Sequence, residues 1–538
     1  MKIFKNGKII TMKDNKTAEA MVIKNDLIHD IGSNSYIMEK YTKLADKEID
    51  LEEKTIIPGF NDGHMHLYQY ALTKSKVNLT GVKTTNDIKK RIDKHINKLK
   101  LGENEWLEGN GWNEDIFPEE KIFTKNSLDK FPSNNPVLLK RHCFHVAMVN
   151  SKALELSNIN KNTKDPEGGK IGRDSEGNPN GILYDEAISL VEKNIPKKNV
   201  NQIKKLFKDA FKDLSRAGLS SIQTDDFINV EYPEIILQAY NELNNEGELP
   251  VRINLQMRLK TVEKIREFAS KGMTTGKGDK YYRLGPVKLI TDGSLGAHTA
   301  ALLEPYTDEA ENTGTLLYED EKLNELVLEA YKNEFQIATH AIGDRALAKT
   351  LKAYEKAIKK TKKDKRPVVV HVQIGNKELY EKMQELKVIA TVQPVFVRSD
   401  WSVCEKRVGK MRGNLSYAWK TLLDTGVKVV GSSDAPIEPF DPLYGIYTAV
   451  CRKDFDENPE KGWHPQEKLN IMEALKLFTV NAAFASFEED IKGSLKPGKL
   501  ADFIILSDDI TEIKSEKIKD IDVLRTYVGG REVYKKNN

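Results

Sequence analysis

Two histidines two positions apart, His64 and His66 in PGFNDGHMHL, follow directly on the apolar segment TIIPGF. In an extended strand, residues i and i+2 project to the same side, so both imidazoles can reach one metal ion. A lone histidine is usually a packed or surface residue. A His-x-His pair at the C-terminal end of an apolar strand, behind Asp62 and Gly63, points instead to ligation. Three more residues stand at equivalent places: His340 ends FQIATH, His371 ends PVVVH and Asp434 ends VKVVGSSD. The chain holds ten histidines. That four of them (His64, His66, His340 and His371) sit at strand ends is not what independent packing would produce, and it points to a metal site.

Such residues meet only if the strands carrying them are parallel and neighbouring. The central sequence alternates helix and strand. NQIKKLFKDAFKDLSRAG places Ile203, Leu206, Phe207, Ala210, Phe211 and Leu214 on one helical stripe closed by Gly218, and LSSIQT follows as a strand. Helices over EKLNELVLEAYKN, RALAKTLKAYEKAIKK, KELYEKMQEL and YAWKTLLDTG precede strands FQIATH, RPVVVHVQ, VIATVQP and VKVVGSSD. Continuously apolar strands of this kind belong to a parallel sheet covered by helices. Repeated units over several hundred residues fit an α/β fold of the (β/α)8 TIM-barrel type better than a doubly wound sheet, and in a barrel the strand-end residues converge at the C-terminal rim.

The ends of the chain differ from its middle. Residues 1–57 and 488–538 read as short strands around Asn-Gly, Asn-Asp and Gly-rich turns, too few at either end to cover an apolar face alone. The expectation is a small β-sandwich domain built from both ends, with a barrel over 58–487 set into it. Residues 75 to about 190, with GWNEDIF and DPEGGKIGRDSEGNPNGIL, break the αβ rhythm and read as an inserted α/β segment, a candidate lid or pocket wall.

Composition narrows the function classes. With 84 Lys+Arg against 81 Asp+Glu, the formal charge of +3 gives no concentrated positive face for nucleic acid. The three cysteines, Cys143, Cys404 and Cys451, form no CxxC pair, which argues against a disulfide framework or a thiolate zinc site. No apolar run approaches a membrane span and the N-terminus builds no signal-peptide core, so a cytoplasmic protein acting on a small molecule is expected. An edge β domain is also compatible with a homodimer.

DGHMH, VKLITDGSLG, ATHAIGD, the strand-end His371 and GSSDAP together resemble the metal-dependent amidohydrolase superfamily. Within it the chain is similar to the branch of YtcJ-like proteins and N-substituted formamide deformylases, through RHCFHVAMVNSKAL, a late Gln-Pro dipeptide and the closing GSLKPGKLADFIIL. The resemblance implies two divalent metal ions. His64 and His66 would bind the more buried one, His340 and His371 the more exposed one. Lys288, in GPVKLITDGS, matches the lysine that is carboxylated on its side-chain nitrogen and bridges the pair: an ammonium cannot ligate a cation, whereas a carbamate is an anionic oxygen ligand. Nitrogen and oxygen ligands suit Zn2+, with Mn2+, Fe2+ or Co2+ as alternatives. Asp434 would be the catalytic proton carrier, holding the proton that a metal-bound water gives up as it becomes the hydroxide nucleophile and passing it to the leaving nitrogen of an amide, formamide or cyclic amide. The resemblance also makes His145 a candidate substrate contact. His298, which stands where relatives often carry Arg, is a further candidate substrate contact implied by the resemblance. From residue type alone, Trp112, Phe396 and Trp401 are candidate pocket walls and Arg398 a candidate partner for an anionic substrate group, while Asp292 reads as a turn or supporting residue.

Two other readings use the same residues. A carboxyl-ester or lactone hydrolase would need no different side chains. A catalytically silent scaffold on the same fold would be expected to have lost ligands, and here every ligand position is filled by a suitable residue.

Overall fold

Eight apolar segments pair as parallel strands of one sheet. They are β1 (Phe60–Met65), β2 (Leu219–Asp225), β3 (Arg252–Met257), β4 (Tyr282–Ile290), β5 (Ile337–Ala341), β6 (Val368–His371), β7 (Ile389–Val392) and β8 (Lys428–Gly431). Their order across the sheet is their order in the chain. The computed structural model describes residues 1–14, 16–99, 102, 104–113, 124–130, 135–143, 145–228 and 230–537. Of GWNEDIF, residues 114–117 lie outside the described residues, as does Phe144 of RHCFHVAMVNSKAL.

The strands β2 and β3 are buried along their whole length, as expected where helices cover a parallel sheet. Helices follow the strands: Glu234–Asn245 after β2, Val262–Ser270 after β3, Asp320–Lys332 after β4, Asp344–Thr361 after β5 and Lys377–Glu385 after β6. Phe207, from the helix Val200–Arg216, stacks on Tyr240 with ring centroids 4.5 Å apart, which fixes two helices against each other. The sheet comes round on itself just beyond β8, where the Asp434 N–H donates to the His64 carbonyl at 2.9 Å and the His66 N–H to the Ala435 carbonyl at 2.8 Å. The result is the (β/α)8 barrel expected from the repeat. Gly63 makes this closure possible: a Cβ there would lie 2.4 Å from Cγ1 of Val430 on β8.

Two details differ from the sequence reading. TIIPGF is not one strand. Thr55–Pro58 belongs to another sheet, and β1 begins after a break at Gly59. β3 and its helix, which no motif marked, complete the barrel.

Strands Lys2–Lys5, Ala20–Lys24, Leu27–Gly32 and Lys47–Asp50 form a four-stranded sheet. A six-stranded sheet combines Lys8–Ile10, Thr17–Ala18 and Thr55–Pro58 with Phe503–Leu506, Val523–Val528 and Arg531–Lys535. Phe4 of the first sheet meets Phe503 and Tyr527 of the second edge-on, at 5.0 and 5.3 Å between centroids. A buried bidentate pair ties this region to the barrel: Arg252, which opens β3, donates from Nε and Nη2 to Asp502 at 2.7 and 2.8 Å. All of this, Met1–Leu67 and Phe207–Asn538, is one compact unit.

Residues Tyr68–Leu206 form a second unit. Its sheet runs in the order Gly169–Arg173, Pro179–Asp185, Val146–Val149, Val137–Arg141, Leu107–Trp112, Val77–Asn78. The two-residue period shows in its central strand: Val137 and Leu139 join Ile88 and Ile92 of the helix Thr85–Leu99 on one face, and Leu138 joins Ala153 and Leu154 on the other. No helix among the described residues is long and apolar enough to cross a membrane.

Candidate metal centre

The C-terminal ends of β1, β4, β5 and β6 and the turn after β8 bring His64, His66, Lys288, His340, His371 and Asp434 to one end of the barrel. His64 and His66 sit edge to face at 4.9 Å between ring centroids, His64 and His371 at 6.1 Å, and His371 and His340 at 4.4 Å. Lys288 Nζ is 3.4 Å from His64 Nε2. Asp434 Oδ1 lies 3.3 Å from His64 Nε2 and 3.1 Å from His66 Nε2. One ligand atom from each of these last three side chains falls within 4.8 Å of the others.

Outside this cluster, each of three imidazoles is held through Nδ1. His64 Nδ1 faces Gln256 Oε1 at 3.1 Å, His66 Nδ1 the Asp225 carbonyl at 2.8 Å, and His371 Nδ1 Gln393 Oε1 at 2.8 Å. An acceptor at Nδ1 places the proton there and leaves Nε2 as the lone-pair nitrogen, the arrangement that orients a metal ligand. His340 is held at the opposite nitrogen: its Nε2 lies 3.1 Å from the Gly293 carbonyl and 3.2 Å from Asp292 Oδ1, so Nδ1 is the nitrogen left for an ion. Gln393 is itself fixed, donating to Ser432 Oγ at 2.9 Å.

The backbone is bent to make these approaches. His371, Val372 and Asp434 have φ of 86°, 49° and 57°. For a β-branched valine this is a true outlier, and such conformations persist where the surroundings over-determine them. Asp62 supplies part of that support. Its Oδ1 accepts from the His64 and Ser433 N–H groups at 3.0 and 3.2 Å, and its Oδ2 from Ser433 Oγ at 2.5 Å, which fixes the turn carrying Asp434.

The electrostatics suit a cation. Burial, reinforced by Lys288, lowers His64 to about 3, and burial with neighbouring His340 holds His371 well below the histidine range, so both present neutral rings. Burial also lowers His66, but the contact with Asp434 outweighs it and the net shift is upward. Burial pushes Asp434 up, and His64 and His66 more than reverse it, keeping the carboxylate ionised. Lys288 is brought down to about 8 by burial, which makes its neutral amine accessible. Asp434 Oδ1 is buried with no hydrogen-bond partner among the described residues, although two imidazole nitrogens face it. Two imidazole nitrogens converging on a buried carboxylate oxygen that makes no well-formed hydrogen bond is an arrangement that a divalent ion would satisfy, so the residues present fit one.

The amidohydrolase family model matches residues 47–534 of the chain. The chain belongs to the amidohydrolase family. This amidohydrolase is 33% identical to a putative amidohydrolase, YtcJ, of Bacillus subtilis over 99% of both chains. It is 25% identical to an N-substituted formamide deformylase of Arthrobacter pascens, covering 96% of this chain and 95% of that one. Its fold superposes with a TM-score of 0.77 on an uncharacterized metal-dependent hydrolase from Pyrococcus furiosus, at 30% identity over 95% of this chain and all of the other. It is accordingly a hydrolase, and the family implies a divalent metal.

The remaining sequence candidates have other partners. Asp292 is a brace: it accepts from the N–H groups of Ala301, Ile342 and Gly343 at 2.9, 3.1 and 2.8 Å. His298 is held between Asp308 Oδ1 at 3.1 Å and Glu309 Oε1 at 3.3 Å. Arg398 pairs with Glu438 at 2.5 Å. Phe396 stacks 6.5 Å from His371. Trp112 and His145 lie in the second unit, the first buried with Nε1 donating to the Leu139 carbonyl at 3.0 Å, the second exposed with Nδ1 2.8 Å from Asp185. Sequence reasoning misses Gln256, Asp225 and Asp62 as supports of the centre. Polar side chains in otherwise apolar strands, RINLQM and LSSIQTD, are the available signal.

Proposed function

We propose that this amidohydrolase cleaves a C–N bond of an amide, formamide or cyclic amide. In this reading His64, His66, Lys288, His340 and His371 would hold two divalent ions, Zn2+ by preference, with a carboxylated Lys288 supplying an anionic oxygen ligand. The observation that carries it is the inward convergence of His64 Nε2, His66 Nε2 and Asp434 Oδ1 while the outer nitrogens of both rings are tied to acceptors. When bound, divalent ions supply Lewis acidity for a carbonyl and bring the pKa of a coordinated water toward neutrality.

The chain's own groups do the rest. Gln256, Gln393 and the Asp225 carbonyl hold three rings in one tautomer, so no reorganisation is needed when charge develops. Lys288 Nζ gains a bond to the carbon of CO2 and loses a proton, becoming an anionic two-oxygen ligand. Asp434 accepts the proton of the attacking water on a carboxylate oxygen and delivers it to the leaving nitrogen, which otherwise would depart as an unstable anion. The amide preference is supported by the 25% identity to an N-substituted formamide deformylase.

The test is a parallel assay of N-formyl amines, acyl amides and aryl esters, with the metal-loaded protein and after chelation. Chelator-sensitive release of amine is the expected result. Turnover of esters alone would replace the C–N assignment with an ester one, and turnover unaffected by chelation together with substoichiometric metal would remove the hydrolytic centre altogether.

A further inference from the structure

His340 is supported differently from the other three imidazoles. Gln256, the Asp225 carbonyl and Gln393 reach those rings from other strands or from the residue just past one. His340 is gripped by three consecutive residues, Thr291, Asp292 and Gly293, where the chain leaves β4. Asp292 and Gly293 face its ring at Nε2. Thr291 takes its main chain: the Thr291 N–H and Oγ1 both donate to the His340 carbonyl, at 3.1 and 2.6 Å. β4 and β5 pair up to Ile290 opposite His340, so the N–H bond is the next rung of the sheet. The hydroxyl adds a bond that the sheet does not supply.

The loop that starts here also wraps the turn after β5. Asp292 holds the N–H groups of Ile342 and Gly343, and the Ala301 carbonyl accepts from the Arg345 N–H at 3.1 Å. The two segments approach so closely that a Cβ on Gly343 would stand 2.0 Å from the Ala301 oxygen. The Thr291 carbonyl accepts from the Leu317 N–H at 2.9 Å, which ties the far end of the loop back to its start. Thr291 itself is buried. A buried threonine hydroxyl must find an acceptor somewhere, and a bond to any carbonyl would serve that need. Here the carbonyl belongs to a candidate metal ligand, the only one of the four histidines whose supports all come from one loop segment.

We propose that Thr291 is a positioning residue: its hydroxyl fixes the main chain of His340, and through it the place of the ring nitrogen left for the more exposed ion. A hydrogen bond at Nε2 alone lets an imidazole swing about that point whenever its backbone shifts. Pinning the carbonyl as well holds the residue at both ends, so Nδ1 stays in one place before any ion arrives. The two ions then differ in what holds their ligands. His64 and His66 answer to the strands around them, and His340 to the loop after β4. Which metal equivalent responds rests on the two-ion reading above; that Thr291 fixes His340 does not.

Two substitutions isolate the hydroxyl. Thr291→Val keeps the shape of the side chain and the main-chain bond, and Thr291→Ser keeps the hydroxyl. Chelator competition with Zn2+ is measured for the native protein and both variants, with denaturant unfolding of the metal-free proteins alongside. Thr291→Val is expected to hold one metal equivalent about tenfold or more weakly, the scale of losing a ligand's support, and the other as the native protein does. Thr291→Ser should match the native protein. Native affinity for both equivalents in Thr291→Val, equal weakening of both, or a Thr291→Ser protein as impaired as Thr291→Val would overturn the proposal. So would a lowered unfolding midpoint with metal affinity unchanged, which is what a hydroxyl that merely packs would give. If the native protein binds a single equivalent, the two-ion reading falls, and the same comparison on that one ion still decides: weaker binding in Thr291→Val with recovery in Thr291→Ser supports the role of Thr291, and equal binding refutes it.

Discussion

The backbone N–H of Asp434 donates to the carbonyl of His64 at 2.9 Å, so the first and last strands of the barrel are stitched together by residues of the candidate metal centre. The stitch uses main-chain atoms, which leaves the Asp434 side chain free for chemistry. Asp434→Asn should therefore keep the fold and the metal while kcat falls by about 10²–10⁴-fold, the usual cost of losing a proton carrier. Metal analysis and circular dichroism alongside kinetics check this. Near-native turnover by the Asp434→Asn protein would take the residue out of the mechanism.

Lys288 makes the sharpest metal prediction. Its Nζ lies against His64 Nε2 in a buried site. Lys288→Ala should lose one of two metal equivalents in preference to the other, with activity lost in step, and added short-chain carboxylates should restore part of both. Metal content identical to that of the native protein would exclude a bridging role.

The support of His371 by Gln393 can be tested without touching a ligand. Gln393→Ala removes the acceptor from Nδ1 and also the bond to Ser432. Loss of such a partner costs about 10–100-fold in metal affinity or activity. Chelator competition should show the loss, and Gln393→Glu, which keeps an acceptor, should be the milder change.

The sequence exposes His64, His66, His340 and His371 because they stand at or near the ends of apolar strands, a local pattern that needs no knowledge of neighbours, whereas Lys288, inside β4, is reached only through the family resemblance. The α/β class follows from the alternation of helix and strand, which favours a barrel over a doubly wound sheet without separating the two. The supports are less visible. Gln256 reaches His64 from β3, a strand no motif marks, and its role exists only once β3 is placed beside β2 and β4. His298 and Arg398 show the converse. Both are reasonable substrate contacts by residue type, yet His298 is claimed by Asp308 and Glu309 and Arg398 by Glu438, partners that only the folded loops bring near. The break at Gly59 is also hidden, because an apolar run does not announce that it changes sheets.

Gly63 should be intolerant of any side chain. A Cβ at this position would approach Val430 to 2.4 Å and force β1 from β8, and overpacking of this kind costs about 1–3 kcal/mol. Gly63→Ala is expected to lower the denaturant midpoint and to weaken metal binding together, since the displaced strand carries His64 and His66. Lowered stability with unchanged metal affinity would show that the strand can shift without moving its imidazoles.

Arg252 and Asp502 are buried at 1% and 4% exposure, and their pairing is bidentate. Removing one partner strands the other charge, at a cost of about 3–5 kcal/mol. Asp502→Ala should therefore destabilise the fold more than Gly63→Ala does, as read by denaturant unfolding. Replacing both residues with apolar side chains should recover much of the loss.

Thr55–Pro58 finds its antiparallel neighbour in Phe503–Leu506, on the far side of the whole barrel in sequence. During synthesis that edge must wait, unpaired and apolar, while several hundred residues emerge. Closing so long a loop is slow, and an uncovered strand edge is the kind of surface on which nascent chains stick to one another. Translation speed and chaperone supply should thus govern the yield of active enzyme, with the last strands to leave the ribosome acting as the clasp.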